Sequence, residues 1–339
     1  MEKKNNKISN GVKYDMITIG GATEDITFYT REGILIDNKK DILRQKLLAF
    51  EYGAKMKIDK SYSTFGGGAA NMAVNFSGLG FRVASLIAIG DDERGKRVLA
   101  NLKKHRVDTK LVQKIRGIET GFSFILINPE KIVFSDRAAN SELRIKNYEL
   151  RSLRNTKWVF VTSLSGKWEE VLKKVFSIKG LKVAWNPGHV QLDSGAKKLK
   201  KFIAKTTTFF VNKDEAIELI VSEPKYKKKG HKFLNNPKEL LKVLKSWGPE
   251  IVVITRGKDG ADTYDGRKFY HQNILKEKKR VDTTGVGDAF NSSFIAGLEI
   301  YKGDIAKAMH LGIRTTASVI AKQGAQNGLL TIKEVRSKK

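Results

Sequence analysis

The feature that most constrains this chain is the stretch VDTTGVGDAFNSSFIAGL, residues 281–298. Gly285 and Gly287 allow a tight backbone turn, and the small and apolar residues that follow predict a buried helix. Unpaired N–H groups and the positive end of the helix dipole make a helix N-terminus attractive to phosphate and other anions. Asp288 puts a negative charge at that point. It either caps an ordinary helix or accepts the proton of a hydroxyl that attacks a bound phosphoryl group.

Strand and helix patterns alternate regularly in the second half of the chain. From Trp158 onward, the segments WVFVTSL, KVAWNP and TTFFVN have strand patterns, and the segments WEEVLKKVF and LDSGAKKLKKFI have helix patterns. This alternation predicts a parallel sheet with helices on both faces. The segment YDMITIG, from Tyr14 to Gly20, predicts the buried first strand, and residues 1–13 predict a disordered, lysine-rich tail.

Composition places the chain among globular α/β proteins. Hydrophobic residues make up 40% of its 339 residues, which is enough for a large core. We expect neither a membrane span nor a secretory signal, because the N-terminus is polar and no apolar run approaches 18 residues. The absence of cysteine excludes disulfides and thiolate chemistry, and it agrees with the cytoplasmic location that we expect.

The formal net charge of +28 favours a polyanionic partner such as nucleic acid. However, the lysines are spread along the chain, and the denser runs at residues 225–232, residues 276–280 and the C-terminus have few aromatic residues between them. This distribution is typical of solvated faces, so we expect no specific nucleic-acid partner. A nucleic-acid-binding or regulatory protein on an enzyme fold is the alternative function.

Two glycine-rich segments resemble the signatures of the ribokinase-like (PfkB) carbohydrate kinase family. DTTGVGDAF is similar to the family's DTTGAGDAF, with Val286 in place of alanine, and FGGGAANMAVNFSGLG, residues 65–80, is similar to its N-terminal GGxxxN signature. The resemblance implies a three-layer α/β fold with a mostly parallel central sheet and helices on both faces. Residues 14–333 would form the kinase domain. A small β-sheet lid would take its strands from about residues 26–64 and 107–136.

The resemblance also implies a reaction, the transfer of the γ-phosphoryl group of ATP to a hydroxyl of a small sugar, sugar derivative or nucleoside. Asp288 would be the catalytic base, and the backbone N–H groups of Gly285, Val286 and Gly287 would form the anion hole. The residues implied to bind the acceptor are Asp25, Gly67, Gly68, Asn71 and Arg137. From the residues alone, these positions also fit a turn aspartate, a flexible glycine loop and a surface arginine.

Polar residues follow two further predicted strands. In VNKDEAIELI, Asn212 and Glu215 match the family's NxxE element, which organises Mg²⁺ through water, although an asparagine cap with an acidic first turn explains them equally well. In IVVITRGKDG, the resemblance implies that Thr255, Gly257 and Gly260 hold ATP. Without it, these residues predict a hairpin turn.

The C-terminal segment IAKQGAQNGL resembles the family's loop over adenine and a monovalent cation. The resemblance assigns Gly324 to the nucleotide and Asp282 and Thr284 to a K⁺ site. Exposed edges of lid strands could pair two copies of the chain, so we also expect a homodimer through the lid.

Two other nucleotide-binding motifs are excluded. Residues 90–96 have the glycine and lysine spacing of a P-loop, but Arg97 replaces the hydroxyl residue that ligates Mg²⁺ and three acidic residues would face the phosphate. The segment GGATED after the first strand lacks the GxGxxG pattern, which excludes a dinucleotide-dependent oxidoreductase.

Overall fold

The computed structural model describes residues 13–38, 46–128, 130–276 and 279–337. Residues 1–12 of the predicted tail therefore lie outside the described residues. The strands are β1 (Tyr14–Ile19), β2 (Thr23–Tyr29), β3 (Ile34–Asp37), β4 (Lys46–Ala49), β5 (Lys60–Gly66), β6 (Val83–Leu86), β7 (Ala88–Gly90), β8 (Gln113–Ile115), β9 (Phe122–Asn128), β10 (Glu130–Asp136), β11 (Thr156–Val161), β12 (Lys182–Trp185), β13 (Thr208–Asn212), β14 (Ile251–Thr255), β15 (Ala261–Tyr264) and β16 (Phe269–Gln272).

The helices flank these strands in sequence. They are α1 (Gly68–Gly78), α2 (Glu93–Lys104), α3 (Asn147–Arg154), α4 (Trp168–Val175), α5 (His189–Leu192), α6 (Gly195–Ile203), α7 (Lys213–Val221), α8 (His231–Leu234), α9 (Pro237–Lys245), α10 (Val286–Ile300), α11 (Ile305–Val319) and α12 (Ile332–Arg336). Short 3₁₀ turns cover Ala138–Glu142, Pro224–Tyr226 and Gly257–Asp259. Within the described ranges, no helix combines the length and the apolar character needed to cross a bilayer.

The central sheet has eight strands in the order β16-β15-β14-β13-β12-β11-β1-β6. The six strands from β14 to β6 are parallel, and β15 and β16 add an antiparallel hairpin at one edge. Parallel strands expose their carboxyl ends at one edge of the sheet, so the loops that follow β1, β11, β13 and β14 all lie at that edge.

Helices cover both faces of this sheet. Val159 and Phe160 are consecutive residues of β11 and lie in different hydrophobic cores, as the two-residue period of a strand requires. Val159 shares its core with buried residues of α4, α6, α7 and α9. Phe160 shares the other core with residues of α1, α2, α10 and α11. The predicted three-layer fold with a mostly parallel central sheet is therefore confirmed.

A second sheet lies over the carboxyl end of β1. We call it the upper sheet, and it has the strand order β10-β9-β2-β5. Strand β2 is parallel to β9 and antiparallel to β5. The chain enters this sheet directly after β1, and after β5 it returns at α1 to the central sheet and its helices, which we call the body. Strands β3 and β4 form a separate exposed hairpin.

The structure differs from the prediction for residues 107–121, which we expected to belong to the lid. Strand β8 pairs with β7, and Asp108 bridges Ala84 in β6, so this segment belongs to the body. The physical reason is burial, because Val107 and Leu111 are each at most 3% exposed and pack into the two cores.

Candidate active site

A cavity of about 230 Å³ lies where the carboxyl ends of β1 and β11, the upper sheet and the N-terminus of α10 meet. Open α/β sheets bind ligands at such strand ends. The cavity brings together residues that are far apart in sequence. The predicted site residues in its wall are Asp25, Gly67, Gly68, Asn71, Arg137, Thr284, Gly285 and Asp288.

Asp288 lies in the first turn of α10 and faces this cavity. Asn71 of α1 donates a hydrogen bond from its Nδ2 to Oδ2 of Asp288 over 2.8 Å. Burial raises the pKa of Asp288 to about 6, with the negative charge of Asp25 adding to the rise and the Asn71 hydrogen bond opposing it. The carboxylate is therefore mostly ionised at pH 7 and can still take up a proton.

The N-terminus of α10 presents open backbone amides beside Asp288. Gly285 precedes the helix with φ +73°, and a side chain there would overlap Ala325. The first amide of α10 with an acceptor four residues earlier belongs to Ala289, which bonds to Gly285 O over 2.9 Å. In the described part of the chain, the N–H groups of Gly287 and Asp288 have no hydrogen-bond partner. These groups can bind an anion.

Val286 and Gly287 stand next to the cavity rather than in its wall. No atom lies within 4 Å of the position that a Cβ of Gly287 would occupy, so the fold itself does not require glycine there. The open space in front of this residue allows another group to approach the backbone closely.

Asp25 is held opposite Asp288 on β2 of the upper sheet, and it is only 5% exposed. Thr23 Oγ1 donates to Asp25 Oδ1 over 2.8 Å. Burial raises the pKa of Asp25, whereas the hydrogen bonds from Thr23 and Ser123 and the charge of Lys131 lower it. A buried carboxylate facing a cavity is suited to accept hydrogen bonds from hydroxyl groups of a ligand.

The three consecutive glycines at residues 66–68 bring α1 close to the carboxylate of Asp25. A side chain at Gly66 would overlap the carboxylate of Asp25, and a side chain at Gly67, whose φ is +85°, would overlap the backbone of Gly21. Glycine is therefore required at these positions, because larger residues would push α1 and Asn71 away from the strand end.

Several residues of the site were missed in the sequence. Asn140 accepts a hydrogen bond from Ala22 N over 3.0 Å and donates one to Ala22 O over 3.1 Å, which fixes the connection between β1 and β2. The sequence offered one indication of Asn140, namely its position three residues after the predicted site residue Arg137. The hydroxyl residues of the cavity wall that have no signal in the sequence are Thr23, Ser123, Ser135, Ser163 and Ser165.

Arg137 lies at the rim of the cavity, directly after β10. Its side chain is exposed, and it makes no hydrogen bond or ion pair with other residues that the structure describes. It is therefore a cation available to a ligand in the cavity.

The predicted nucleotide and Mg²⁺ residues lie outside this cavity. Asn212 and Thr255 are register partners at the carboxyl ends of β13 and β14, so they share the edge of the sheet on which the cavity lies. Gly260 closes the turn between β14 and β15, as the hairpin interpretation predicts, and a side chain there would overlap Gln272 O. Gly257 has open space around it.

Asn212 and Glu215 form the capping box of α7. Asn212 Oδ1 accepts from Glu215 N over 2.9 Å, and Glu215 Oε2 accepts from Asn212 N over 2.8 Å. The described residues contain no group of three or more histidine or acidic residues that could hold a metal directly. Asn212 and Glu215 would therefore contact a Mg²⁺ ion through water, because Mg²⁺ usually retains several water ligands.

Asp282 does not fit a K⁺ site through its side chain. Its Oδ1 accepts from Thr284 N and Thr284 Oγ1 over 2.8 and 2.6 Å, and its Oδ2 accepts from Gln323 Nε2 and Gly324 N over 3.0 and 2.9 Å. A carboxylate has about four acceptor positions, and protein donors fill them here. Thr284 Oγ1 additionally accepts from Lys131 Nζ over 2.6 Å.

Comparison with known proteins supports this architecture. The family described as pfkB family carbohydrate kinase matches residues 40–332. An ATP-dependent 6-phosphofructokinase from Thermoanaerobacterium thermosaccharolyticum is 26% identical over 91% of this chain and 97% of that protein.

Solved structures show the same fold. The nucleoside kinase of Methanocaldococcus jannaschii superposes with a TM-score of 0.73 and 23% identity over 96% of this chain and 98% of its own. The Arabidopsis thaliana ribokinase complexed with ribose and ATP gives a TM-score of 0.78 with 17% identity over 95% and 97% of the two chains.

Fold and homologues together define a kinase, a phosphotransferase that acts on an alcohol group. Within that class, the chain belongs to the pfkB family of carbohydrate kinases, and the resemblance of its two glycine-rich segments is confirmed.

Proposed function

We propose that this protein transfers the γ-phosphoryl group of ATP to a hydroxyl of a small sugar or related acceptor, with Asp288 as the general base. The observation that carries the proposal is the placement of Asp288, whose carboxylate faces the same cavity as Asp25 and lies in the first turn of α10. A base, an acceptor-binding carboxylate and an anion-binding helix end are the three parts that this reaction needs.

In the proposed reaction, Asp288 accepts the proton of the acceptor hydroxyl while the hydroxyl oxygen attacks the γ-phosphorus. The bond between this phosphorus and the β-phosphate oxygen breaks, and ADP leaves. The amides of Gly285, Val286 and Gly287 stabilise the negative charge on the transferred group, and for this Val286 N exchanges its long bond of 3.5 Å to Thr283 O for the ligand. Asn71 keeps the carboxylate oriented through its hydrogen bond to Oδ2.

ATP would lie along the carboxyl edge of the central sheet, between α10 and the turn after β14. Adjacent strands are about 4.8 Å apart, so the end of β14 lies about 14 Å from that of β11, which leaves room for an extended nucleotide. Thr255, Gly257 and Gly260 would contact it at the far end, and Gly324, whose N–H holds Asp282, would support it near α10.

Mg²⁺ would be held through water by Asn212 and Glu215, and it would neutralise phosphate charge. Burial raises the pKa of Glu215, an effect that a nearby cation offsets. We do not extend the proposal to K⁺, because the Asp282 carboxylate is already saturated by protein donors.

For the acceptor, we propose a sugar with an anionic substituent. No aromatic side chain lines the cavity in the described part of the chain, so a nucleobase would find no ring for stacking, whereas serine hydroxyls and Asn140 suit a polyol. The unpaired guanidinium of Arg137 suits a carboxylate or phosphate. The similarity to an ATP-dependent 6-phosphofructokinase supports a phosphorylated sugar as one such acceptor.

The test is a measurement of ATP consumption with Mg²⁺ over a panel of neutral sugars, sugar acids, sugar phosphates and nucleosides. We expect turnover with at least one sugar and the highest kcat/KM with anionic sugars. If no member of the panel is phosphorylated, the proposed function fails, and if only nucleosides are phosphorylated, the proposed acceptor class fails.

Arg137→Met sharpens the test of the acceptor class. We expect it to raise the KM of an anionic sugar by roughly 10- to 100-fold with a smaller change in kcat, because a charged hydrogen bond to the acceptor is lost. Arg116→Met is the matched control, since Arg116 is exposed and lies outside the cavity. Equal kinetics in the two variants would contradict the assignment of Arg137.

We further propose a homodimer through the upper sheet and its β3–β4 hairpin. Ile34, Leu35 and Ile36 are 72%, 50% and 46% exposed, and Val133 and Phe134 of β10 are 50% and 56% exposed. Such a cluster of apolar side chains is typical of an interaction surface.

We also propose a cytoplasmic location, in agreement with the absence of cysteine.

A further inference from the structure

Asp288 stands at the end of a chain of three side-chain amides. Asn101 Nδ2 donates to Gln326 Oε1 over 2.8 Å, Gln326 Nε2 donates to Asn71 Oδ1 over 3.0 Å, and Asn71 Nδ2 donates to Asp288 Oδ2 over 2.8 Å. We propose that this chain, which we call the amide relay, orients Asn71 toward the base, and that Gln326 is a positioning residue for phosphoryl transfer.

The direction of the relay follows from the chemistry of its members. An ionised carboxylate only accepts hydrogen bonds, so Asn71 must turn its NH₂ group toward Asp288. The Oδ1 atom of Asn71 then faces Gln326 and requires a donor, and the Oε1 atom of Gln326 requires a donor in turn, which Asn101 supplies. Each amide therefore donates toward the base.

Gln326 is needed because an asparagine amide has two nearly equivalent orientations. A rotation of half a turn about χ2 of Asn71 would place its oxygen against the carboxylate of Asp288 and its NH₂ group elsewhere. Asn71 is 5% exposed, so water cannot easily correct the mismatch. The rotated orientation would lose the hydrogen bond from Asn71 to Asp288 and the one from Gln326 to Asn71. It would also place the amide oxygen of Asn71 against the carboxylate of Asp288 and its NH₂ group against that of Gln326.

The backbone that carries Asn71 is fixed independently of Gln326. One turn further along α1, Asn75 Nδ2 donates to Ser292 Oγ and Ser293 Oγ, each over 2.8 Å, and holds α1 against α10. Removal of Gln326 should therefore release the amide of Asn71 without releasing the helix. Gln326 itself is partly exposed beside a second cavity of about 200 Å³, where a substituted side chain has room.

The relay has a consequence for the acidity of the base. A hydrogen bond donated to the carboxylate favours its ionised form, and here it opposes both the burial of Asp288 and the charge of Asp25. The other titratable groups near the relay are Lys104 and His105 at the second cavity and Lys131, whose charge acts on Asp25, and burial lowers the pKa of His105. None of them is altered when Gln326 is replaced by a neutral residue.

The inference rests on the proposed role of Asp288, and it is tested with Gln326→Met, which keeps the length of the side chain but removes the donor. We expect the acid limb of the kcat profile to move up by about one pH unit, because one hydrogen bond to a charged group is weakened. Turnover at pH 6 should fall roughly fivefold and recover at pH 9, and the KM for ATP should stay unchanged.

Two further variants keep the test decisive. Asn101→Leu should shift the acid limb in the same direction by a smaller amount, and it replaces Gln326→Met if that variant does not fold. Asn327→Ala is the control, because it removes an exposed amide next to Gln326 that is not part of the relay, and we expect the wild-type profile. An unshifted acid limb in a folded Gln326→Met or Asn101→Leu variant would overturn the relay. Full turnover in Asp288→Asn would instead overturn the proposed function.

Discussion

Asp288 places a carboxylate at the N-terminus of α10, a position that favours anions. The groups around Asp288 set its pKa. Burial and the charge of Asp25 raise its pKa, Asn71 lowers it, and the balance at about 6 leaves the group ionised at neutral pH. A general base works best when its pKa lies near the operating pH, because it must be both deprotonated and able to hold a proton.

This balance predicts the pH dependence of turnover. The active form is the carboxylate, so kcat should fall about tenfold per pH unit below pH 6 and level off above it. The measurement is kcat at saturating ATP and acceptor from pH 4.5 to 9. An acid limb near pH 4, where an ordinary aspartate titrates, would contradict the raised pKa of Asp288.

The raised pKa of Asp288 also predicts that its buried charge lowers the stability of the wild-type protein. Asp288 has a pKa of about 6 in the folded protein against an ordinary value of 3.8, so the folded state binds the proton more tightly and loses this advantage as the pH rises from about 4 to 6. Above pH 6 the cost reaches at most about 3 kcal/mol.

Asp288→Asn should remove this cost, because an amide has no charge to bury. Its free energy of unfolding should therefore exceed that of the wild type at pH 8 and equal it near pH 4, as measured by denaturant unfolding at both values. A variant less stable than the wild type at pH 8 would contradict a net cost of the buried charge.

The two glycines that flank Val286 have different roles in α10, although the sequence presents them alike. Gly285 needs its φ of +73° and lies against Ala325, whereas Gly287 has an ordinary backbone conformation and open space in front of it. Gly285 is therefore required by the fold. We infer that Gly287 is required by the group that approaches the helix.

Alanine substitutions separate these two roles. Gly285→Ala should lower the free energy of unfolding by about 2 kcal/mol or more, because a left-handed conformation is strained and Ala325 must move. Gly287→Ala should leave stability within about 1 kcal/mol of the wild type but reduce kcat roughly 100-fold, because the methyl group blocks the open amides. Thermal unfolding and steady-state kinetics of both variants provide the measurement. Equal activity of Gly287→Ala and wild type would remove its amide from the anion hole.

The sequence predicted the elements that have a local signal. The two glycine-rich segments predicted α1 and α10, and the regular alternation of strand and helix patterns predicted the central sheet. The amide relay could not be predicted, because Asn71 and Gln326 are separated by 255 positions and neither belongs to a pattern that marks a contact. The segment from 107 to 115 was misassigned for a similar reason, since short apolar strands look alike whether they pack in the body or in the upper sheet.

At the scale of the whole molecule, the exposed apolar residues of the upper sheet predict self-association. We expect light scattering to give twice the chain mass of 38.0 kDa for the wild type. Ile34→Asp with Ile36→Lys should give the monomer mass, because charges are then placed in the interface. A wild-type protein that is monomeric at micromolar concentration would contradict the proposed dimer.

The net charge of +28 predicts behaviour toward polyanions. Because the lysines are dispersed, we expect the protein to elute from a heparin column near physiological salt, with a shallow dependence of affinity on salt concentration. A variant with lysines 227, 228 and 229 changed to glutamine should elute only slightly earlier. Retention at high salt, abolished by that variant, would indicate a dedicated polyanion site.

In the proposed reaction, Asp288 removes the proton from the acceptor while the helix amides receive the phosphoryl group. The most direct test is the rate of phosphoryl transfer by Asp288→Asn at pH 8, measured together with its affinity for ATP. We expect an ATP dissociation constant close to that of the wild type and a turnover reduced roughly 1,000-fold or more. Near-normal turnover in a folded, ATP-binding Asp288→Asn protein would contradict it.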